Sequence, residues 1–334
     1  MPNLLLTSTP QARTNYYGDE ALAGLRRLGD VRLNERDTPL TTDQLIALGN
    51  GCEIIVSDRQ TAAPREVFDA LPGLVAFVRV AVDIRNIDVA AASRNGVLVT
   101  RASPGFLPAV TELILGYMIA LGRHVVGTTI DYRAGRTPEI RMGRQLRGNT
   151  IGIIGFGGIG RYLADTAAAL GMRVLATDPY VKDLPRGVAS VDFPTLLRSS
   201  DYVVCLAAAN ESTEKLMNAA AFGQMKQGAY FINASRGELV DDDALEAALA
   251  DGRVAGAAID VGRAPDQMPA PRLARHPRVI ATPHIGGLTP QNISHQALDT
   301  VKQCAAILAG QTPPGAVNPG EATRLRSSRR RASA

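Results

Sequence analysis

IGIIGFGGIGRYLADTAAALGMRVLATD, residues 151–178, decides the fold. It reads as a short apolar strand, a glycine turn, an amphipathic helix, a second strand and an acid at that strand's end. Gly155, Gly157 and Gly160 form the G-x-G-x-x-G pattern of a dinucleotide-binding turn. Each has a separate physical task. Gly155 permits the tight turn out of the strand, Gly157 lets the backbone approach a pyrophosphate, and Gly160 lets the helix lie close to the sheet. Phe156, Gly158 and Ile159 complete the turn, and the helix N-terminus offers unpaired N–H groups and a partial positive charge. Asp178 follows the last glycine by 18 residues, where a carboxylate accepts hydrogen bonds from ribose hydroxyls.

A carboxylate at that place hydrogen-bonds a free 2′-hydroxyl and repels a 2′-phosphate, so the cofactor is expected to be NAD. Arg173 and Lys182 lie near in sequence and leave the strictness over NADP open.

The pattern extends in both directions. Upstream, apolar runs at NLLLTST, DVRLNE, CEIIVSD, LVAFVRV and VLVTR alternate with helical stretches through residue 101. Downstream, VDFPTLLRSS reads as a helix and DYVVCLAA as a strand. NAAAFGQMK (helix), GAYFINAS (strand), DDALEAALADGRV (helix), AGAAIDV (strand) and RVIATPHIGG (strand and loop) follow, and residues 290–310 form one long amphipathic helix. Such alternation predicts an α/β protein of two doubly wound parallel-sheet domains. The first unit has no phosphate fingerprint. The expected division is 1–104 with 285–320 as a substrate domain, 105–284 as a Rossmann NAD-binding domain inserted in it, and 321–334 as a disordered basic tail. Residues 111–126 read as a helix, followed by a polar connector to the fingerprint strand.

Composition agrees with an enzyme. The chain has 334 residues, 46% hydrophobic and 20% charged, which is globular and long enough for two cores. The tail's five arginines against Glu321 account for the whole net charge of +4, so the remainder sums to zero and offers no nucleic-acid-binding face. No apolar run reaches the length of a membrane helix. Cys52, Cys205 and Cys304 are isolated, which suggests neither disulfides nor a zinc site and is expected of a cytoplasmic protein.

NASRGELVDDDAL (233–245), GAAIDV (256–261) and TPHIGGLTP (282–290), with the fingerprint before them, resemble the D-isomer-specific 2-hydroxyacid dehydrogenases. The resemblance covers roughly residues 75–310. It implies a flavodoxin-like substrate domain beside the Rossmann domain and an NAD-dependent interconversion of a 2-keto acid and a D-2-hydroxy acid. It makes Arg236 of the N-x-S-R-G motif the catalytic arginine. A guanidinium can grip a carboxylate through paired hydrogen bonds and polarise a ketone oxygen. It makes His284 of P-H-I-G-G the general acid/base, a task suited to imidazole near neutrality. The other histidines, His124, His276 and His295, are expected to be structural. By the same resemblance Asp260 holds the nicotinamide carboxamide, Ala234 turns its carbonyl toward the nicotinamide, and Gly286 and Gly287 allow close approach. Thr111, with Glu112, aligns with a V-A-E element beside the cofactor. A homodimer built on the cofactor domain is implied through residues 111–147.

The chain also departs from the family. The carboxylate that orients the histidine normally stands five residues after the D-V-F aspartate. Here that place is Pro265, which leaves Asp266 or Gln267 to replace it; Asp266 is favoured as the catalytic partner. The formate branch uses a glutamine in this role. The first-domain G-x-G turn, whose N–H groups bind the substrate carboxylate, is Ala81-Val82-Asp83. The backbone donors survive, and Asp83 either faces solvent or repels a second acidic group on the substrate. Phe106 occupies the position of the formate branch's asparagine and suggests an apolar wall. Ala207 replaces the usual histidine after the fourth strand of the cofactor domain. A non-catalytic NAD(H)-sensing corepressor-like protein, or a phosphite- or formate-type dehydrogenase, are the competing readings.

Overall fold

The computed structural model describes residues 1–181, 183–264 and 267–325. The chain divides into two compact units, Met1–Gly105 with the chain from Pro290, and Phe106–Thr289. Each is built on one all-parallel sheet.

In the first unit the strands are β1 (Asn3–Leu6), β2 (Asp30–Leu33), β3 (Ile54–Ser57), β4 (Ala76–Arg79) and β5 (Leu98–Arg101), in the order β2-β1-β3-β4-β5. That is the flavodoxin-like order. Leu4, Leu5, Leu6, Ile54, Ile55 and Val56 are fully buried, because a parallel sheet is covered by helices on both faces. Successive side chains serve opposite faces. Ile54 and Val56 join one apolar cluster with Leu25 and Ile307, and Ile55 joins the other with Leu45 and Phe68. The long helix Pro290–Leu308 packs in the first cluster through Ala297, Cys304 and Ile307.

The second unit carries β6 (Thr150–Ile154), β7 (Arg173–Thr177), β8 (Val188–Ser190), β9 (Tyr202–Cys205), β10 (Ala229–Asn233), β11 (Val254–Ile259) and β12 (Val279–Ala281). Their order is β12-β11-β10-β9-β6-β7-β8, the doubly wound dinucleotide-binding order with one added edge strand. Phe231 faces one apolar cluster, with Phe222 edge-on to its ring at 5.2 Å, while Tyr230 and Ile232 face the other.

The structure corrects three expectations and adds a strand. The tail does not begin at 321: Ala322 and Leu325 are buried in the first unit's core, and Arg324 donates to the carbonyls of Leu71 and Leu74. Residues 326–334 lie outside the described residues. Residues 285–289 belong to the second unit, because the N–H groups of Ile285 and Gly286 are held by Asp260. The 111–126 helix is two helices, Leu107–Gly122 and Val125–Arg133, broken at His124 with φ +57°. The connector is therefore helical as far as Arg133. Strand β8 is a three-residue edge strand whose sequence gives no apolar alternation.

Among the described residues no single helix is long and apolar enough to cross a membrane. The pair broken at His124 passes by length and composition only, with a bend of 68°. Its first helix buries Ile114, Tyr117, Met118 and Leu121 in the second unit's core.

Candidate active site

Register places the site. Thr177, Ile154, Cys205, Asn233, Ile259 and Ala281 are successive partners across β7, β6, β9, β10, β11 and β12. They form one level row at the carboxyl edge of the sheet, where doubly wound folds bind ligands. Asp178, Gly155, Ala207, Arg236, Asp260 and His284 all follow this row within three residues.

The glycine turn tests how a dinucleotide fits. Gly155 has φ +91°, and a Cβ there would stand 2.5 Å from the Ala207 nitrogen. A Cβ on Gly160 would stand 2.6 Å from the Gly155 carbonyl oxygen. Both glycines are demanded by packing. Gly157 is different: a Cβ there would meet no atom within 4 Å. The helix Gly158–Ala169 that follows has Gly157 as its N-cap and no side-chain cap. The turn thus presents uncapped N–H groups beneath an open cradle, which suits a phosphate.

Asp178 is half-buried and accepts from the Phe156 N–H at 2.7 Å through one oxygen and from the Tyr180 N–H at 2.8 Å through the other. Its carboxylate is thereby oriented. The Phe156 side chain is fully buried, with the Arg161 guanidinium 5.2 Å from its ring centroid, so it is closed to a cofactor and its N–H serves to orient Asp178. Ile159 packs against the core. Thr111 is buried, and its hydroxyl has no partner in the described structure.

Arg236 is held by the loop that carries it. Asn233, 1% exposed, accepts from the Ser235 N–H and donates to the Arg236 carbonyl at 2.9 Å. A side-chain amide offers an acceptor and a donor on separate atoms, which lets it meet both at once. The Ser235 hydroxyl donates to the Ala207 carbonyl, and one guanidinium nitrogen of Arg236 donates to the Ser235 carbonyl at 2.8 Å. Gly237 must be glycine because a Cβ would stand 2.5 Å from the Arg263 nitrogen. Ala234 is half-buried and packs on the core beside this loop.

His284 sits on a loop braced from below. The Asp260 carboxylate is 2% exposed and accepts from the Ile285 N–H, the Gly286 N–H and the Thr282 hydroxyl. Thr282 also pairs with the Tyr117 hydroxyl. Burial pushes the Tyr117 phenol above its ordinary range, so it remains a neutral hydrogen-bonding group. A Cβ on Gly286 would stand 2.9 Å from an Asp260 oxygen. His284 itself is half-buried and adopts φ +55°, a left-handed conformation that few side chains take. Asp260 thus shapes the histidine loop, a role the sequence reading did not assign. Gly287 follows on the same loop.

The loop after β11 is tied across its own base. Gly262, standing where the family has a bulky residue, donates its N–H to the Gln267 carbonyl at 2.8 Å, and the Gln267 N–H donates to the Ala264 carbonyl. Gln267 has φ +60°. Pro265 and Asp266 lie outside the described residues. Arg263 was missed by sequence. Its guanidinium donates to Glu214 at 2.6 Å and to the Glu238 carbonyl at 2.8 Å, tying the acid loop to the segment after Arg236. Nothing in local sequence signals this, because Glu214 is 49 residues away.

In the first unit, Ala81 is buried while Val82 and Asp83 are half-buried. The Val82 and Asp83 N–H groups find no acceptor among the described residues. Asp83 is gripped by the Arg85 guanidinium through both its oxygens, and the Arg59 guanidinium stands 3.8 Å away. Hydrogen bonds from Arg85 hold its carboxyl down at about 2. Phe106 belongs to the second unit and packs on that unit's core. Of the other histidines, His276 accepts from the Arg278 N–H and His295 pairs with the Ser103 hydroxyl at 2.8 Å. No metal-ligating cluster occurs among the described residues.

Residues 115–286 match the model of the D-isomer specific 2-hydroxyacid dehydrogenase NAD-binding domain. The chain belongs to this family. It is 30% identical over 267 residues to the hydroxypyruvate reductase of Thermotoga maritima, covering 79% of this chain and 87% of that one. It is 33% identical over 306 residues to the (S)-sulfolactate dehydrogenase of Chromohalobacter salexigens, covering 89% and 98%. It spans about half the length of the Arabidopsis thaliana chloroplastic D-3-phosphoglycerate dehydrogenases it matches. The NAD-complexed D-isomer specific 2-hydroxyacid dehydrogenase of Lactobacillus delbrueckii superposes with a TM-score of 0.78 at 27% identity, covering 95% of this chain and all of that one. The cofactor of this family is NAD, and the family acts on 2-keto and 2-hydroxy acids.

Proposed function

We propose that the protein is an NAD-linked reductase of a 2-keto acid, working reversibly on the D-2-hydroxy acid. The observation that carries this is the pairing of a backbone-clamped Arg236 with a braced His284 on the level carboxyl edge that also holds the dinucleotide turn. When bound, the dihydronicotinamide supplies a hydride to the keto carbon. Arg236 grips the substrate carboxylate and polarises the carbonyl oxygen as negative charge gathers there. His284 delivers the proton that this oxygen takes up, and recovers it in the reverse direction. Asp266 is the residue we assign to orient His284.

The same reading includes a homodimer. Ile130, Tyr132, Ile140 and Met142 are strongly exposed along residues 125–142, large apolar side chains set in an otherwise polar arm. A cytoplasmic setting accords with three buried free thiols. The test is the initial rate of NADH oxidation across a panel of 2-keto acids, with Arg236→Ala and His284→Ala beside the wild type. Loss of about a hundred-fold or more in kcat for both variants is expected. Turnover that survives both substitutions would remove them from the chemistry.

A further inference from the structure

Three neighbouring strands, β9, β10 and β11, each end in a loop at the carboxyl edge of the second unit's sheet. The middle loop carries Arg236. Backbone hydrogen bonds tie it to the loop after β9. The Lys215 N–H donates to the Glu238 carbonyl at 2.8 Å, the Met217 N–H donates to the Leu239 carbonyl at 2.9 Å, and the Asp241 N–H returns to the Met217 carbonyl. On its other side the middle loop meets the loop after β11 by close backbone packing, Gly237 against Gly262 and Arg263. Contact of that kind bars closer approach but does not hold the loop down.

Arg263 supplies the hold. Its guanidinium reaches from the loop after β11 and donates to the Glu238 carbonyl at 2.8 Å and to the Glu214 carboxylate at 2.6 Å. The Val240 carbonyl lies 3.5 Å from the same nitrogen. The Glu238 carbonyl thus accepts from the loop on each side, which uses both of its lone pairs. It stands two residues beyond Arg236. Two residues to the near side, Asn233 accepts from the Ser235 N–H and donates to the Arg236 carbonyl. Arg236 is therefore held between two anchors, with an extended backbone of φ −145° and ψ 151°. With both ends fixed, the direction of its Cα–Cβ bond is fixed too. Arg263 and Glu214 keep more than a third of their side-chain surface in solvent, where an ion pair adds little to folding. The contact matters through geometry: a grip on a carboxylate is planar and paired, and a misplacement of about 1 Å can cost about a hundred-fold in rate.

We propose that Arg263 is a positioning residue for Arg236, and that Glu214 keeps the Arg263 guanidinium turned toward the Glu238 carbonyl. The proposal rests on the reading that Arg236 grips the carboxylate of a 2-keto acid.

The test uses the full chain and the 2-keto acid that the wild type reduces fastest. In Arg263→Ala, kcat/KM should fall about ten-fold, mostly through KM, while NADH affinity read by fluorescence stays within about two-fold. Arg263→Lys, which keeps a donor, and Glu214→Gln, which keeps an acceptor, should each restore most of that loss. In an Arg236→Ala background, Arg263→Ala should cost less than about two-fold more, because a residue that acts through another then has nothing left to position. Deuterium exchange of the backbone over residues 237–241 should quicken in Arg263→Ala, with β10 unchanged. Wild-type kcat/KM in Arg263→Ala, or unchanged exchange over 237–241, would overturn the proposal. So would an equal loss in the wild-type and Arg236→Ala backgrounds, or a parallel fall in NADH affinity, since neither loss would pass through Arg236. Titration of oxamate, an unreactive keto-acid mimic, onto the NADH complex reads the same grip without turnover. Oxamate binding that is lost in Arg236→Ala and weakened in Arg263→Ala, in a protein that reduces no 2-keto acid, would sink the proposed reaction and leave the positioning role standing. A wild type that neither reduces a 2-keto acid nor binds oxamate would overturn both.

Discussion

Gly157→Ala separates ligand space from packing space at the dinucleotide turn. The backbone there, φ −75° and ψ −158°, is open to any L-residue. The new Cβ meets no atom within 4 Å. No atom of the folded protein clashes with it, and the gain of about 0.4–1 kcal/mol from lost unfolded-state freedom is offset by alanine's poorer fit to the N-cap, so stability should change by less than about 1 kcal/mol. That is a shift in Tm of at most a few degrees in either direction. The methyl nevertheless occupies the surface a pyrophosphate must reach. Pushing the phosphates off the uncapped helix end forfeits charge-assisted hydrogen bonds of about 1.5–3 kcal/mol each, so NADH affinity should fall by about ten- to a hundred-fold. Gly160→Ala reverses the pattern. Its Cβ lies 2.6 Å from a carbonyl oxygen of the same turn, and relieving that overlap should cost roughly 1–3 kcal/mol and lower Tm by several degrees. The assay is thermal unfolding without cofactor and NADH fluorescence titration on wild type and both variants. Wild-type NADH affinity in Gly157→Ala would refute the placement of the phosphates. A Gly157→Ala destabilised as much as Gly160→Ala would refute the geometry of the turn.

Asp178→Ser should abolish the preference for NADH over NADPH in kcat/KM; a wild type that already uses NADPH as well as NADH would contradict the role given to Asp178. Ile140→Glu with Met142→Glu should convert the proposed dimer to a monomer in light scattering at micromolar concentration, and a wild-type monomer would reject the arm as an interface. Asp266→Asn should move the basic limb of kcat/KM for reduction to lower pH by about one unit, because a carboxylate beside the ring favours imidazolium and one pH unit corresponds to about 1.4 kcal/mol of pairing. An unchanged profile, with collapse in Gln267→Ala, would transfer the role to Gln267. The Asp83 carboxyl lies at about 2 in the folded chain, below the unfolded value of about 3.9. Its pairing therefore stabilises fully above about pH 4 and fades toward pH 2, so an acid titration of Asp83→Asn should lack that part of the loss.

Sequence showed most of the second unit because its strands are buried on both faces. Runs such as AYFIN of β10 and YVVC of β9 are wholly buried and cannot be read as anything but core. The glycine turn was legible for the same kind of reason, since each glycine answers a local demand. Arg236 and His284 were legible only as motif members; what holds them was not. The Asp260 carboxylate bracing the histidine loop joins residues 22 to 26 positions apart, and the Arg263 staple joins residues 49 apart. Asp83 shows the limit most clearly. Alone, it is an added negative charge in a loop expected to receive an acid, and repulsion is the natural inference. Its meaning changes with Arg59, which arrives from the loop after a neighbouring strand, and with Arg79, whose buried guanidinium fixes both loops. Charge in a cleft is a sum over strands that the chain order separates, so the sign of this cleft is a tertiary property even where every residue in it is plain in the sequence.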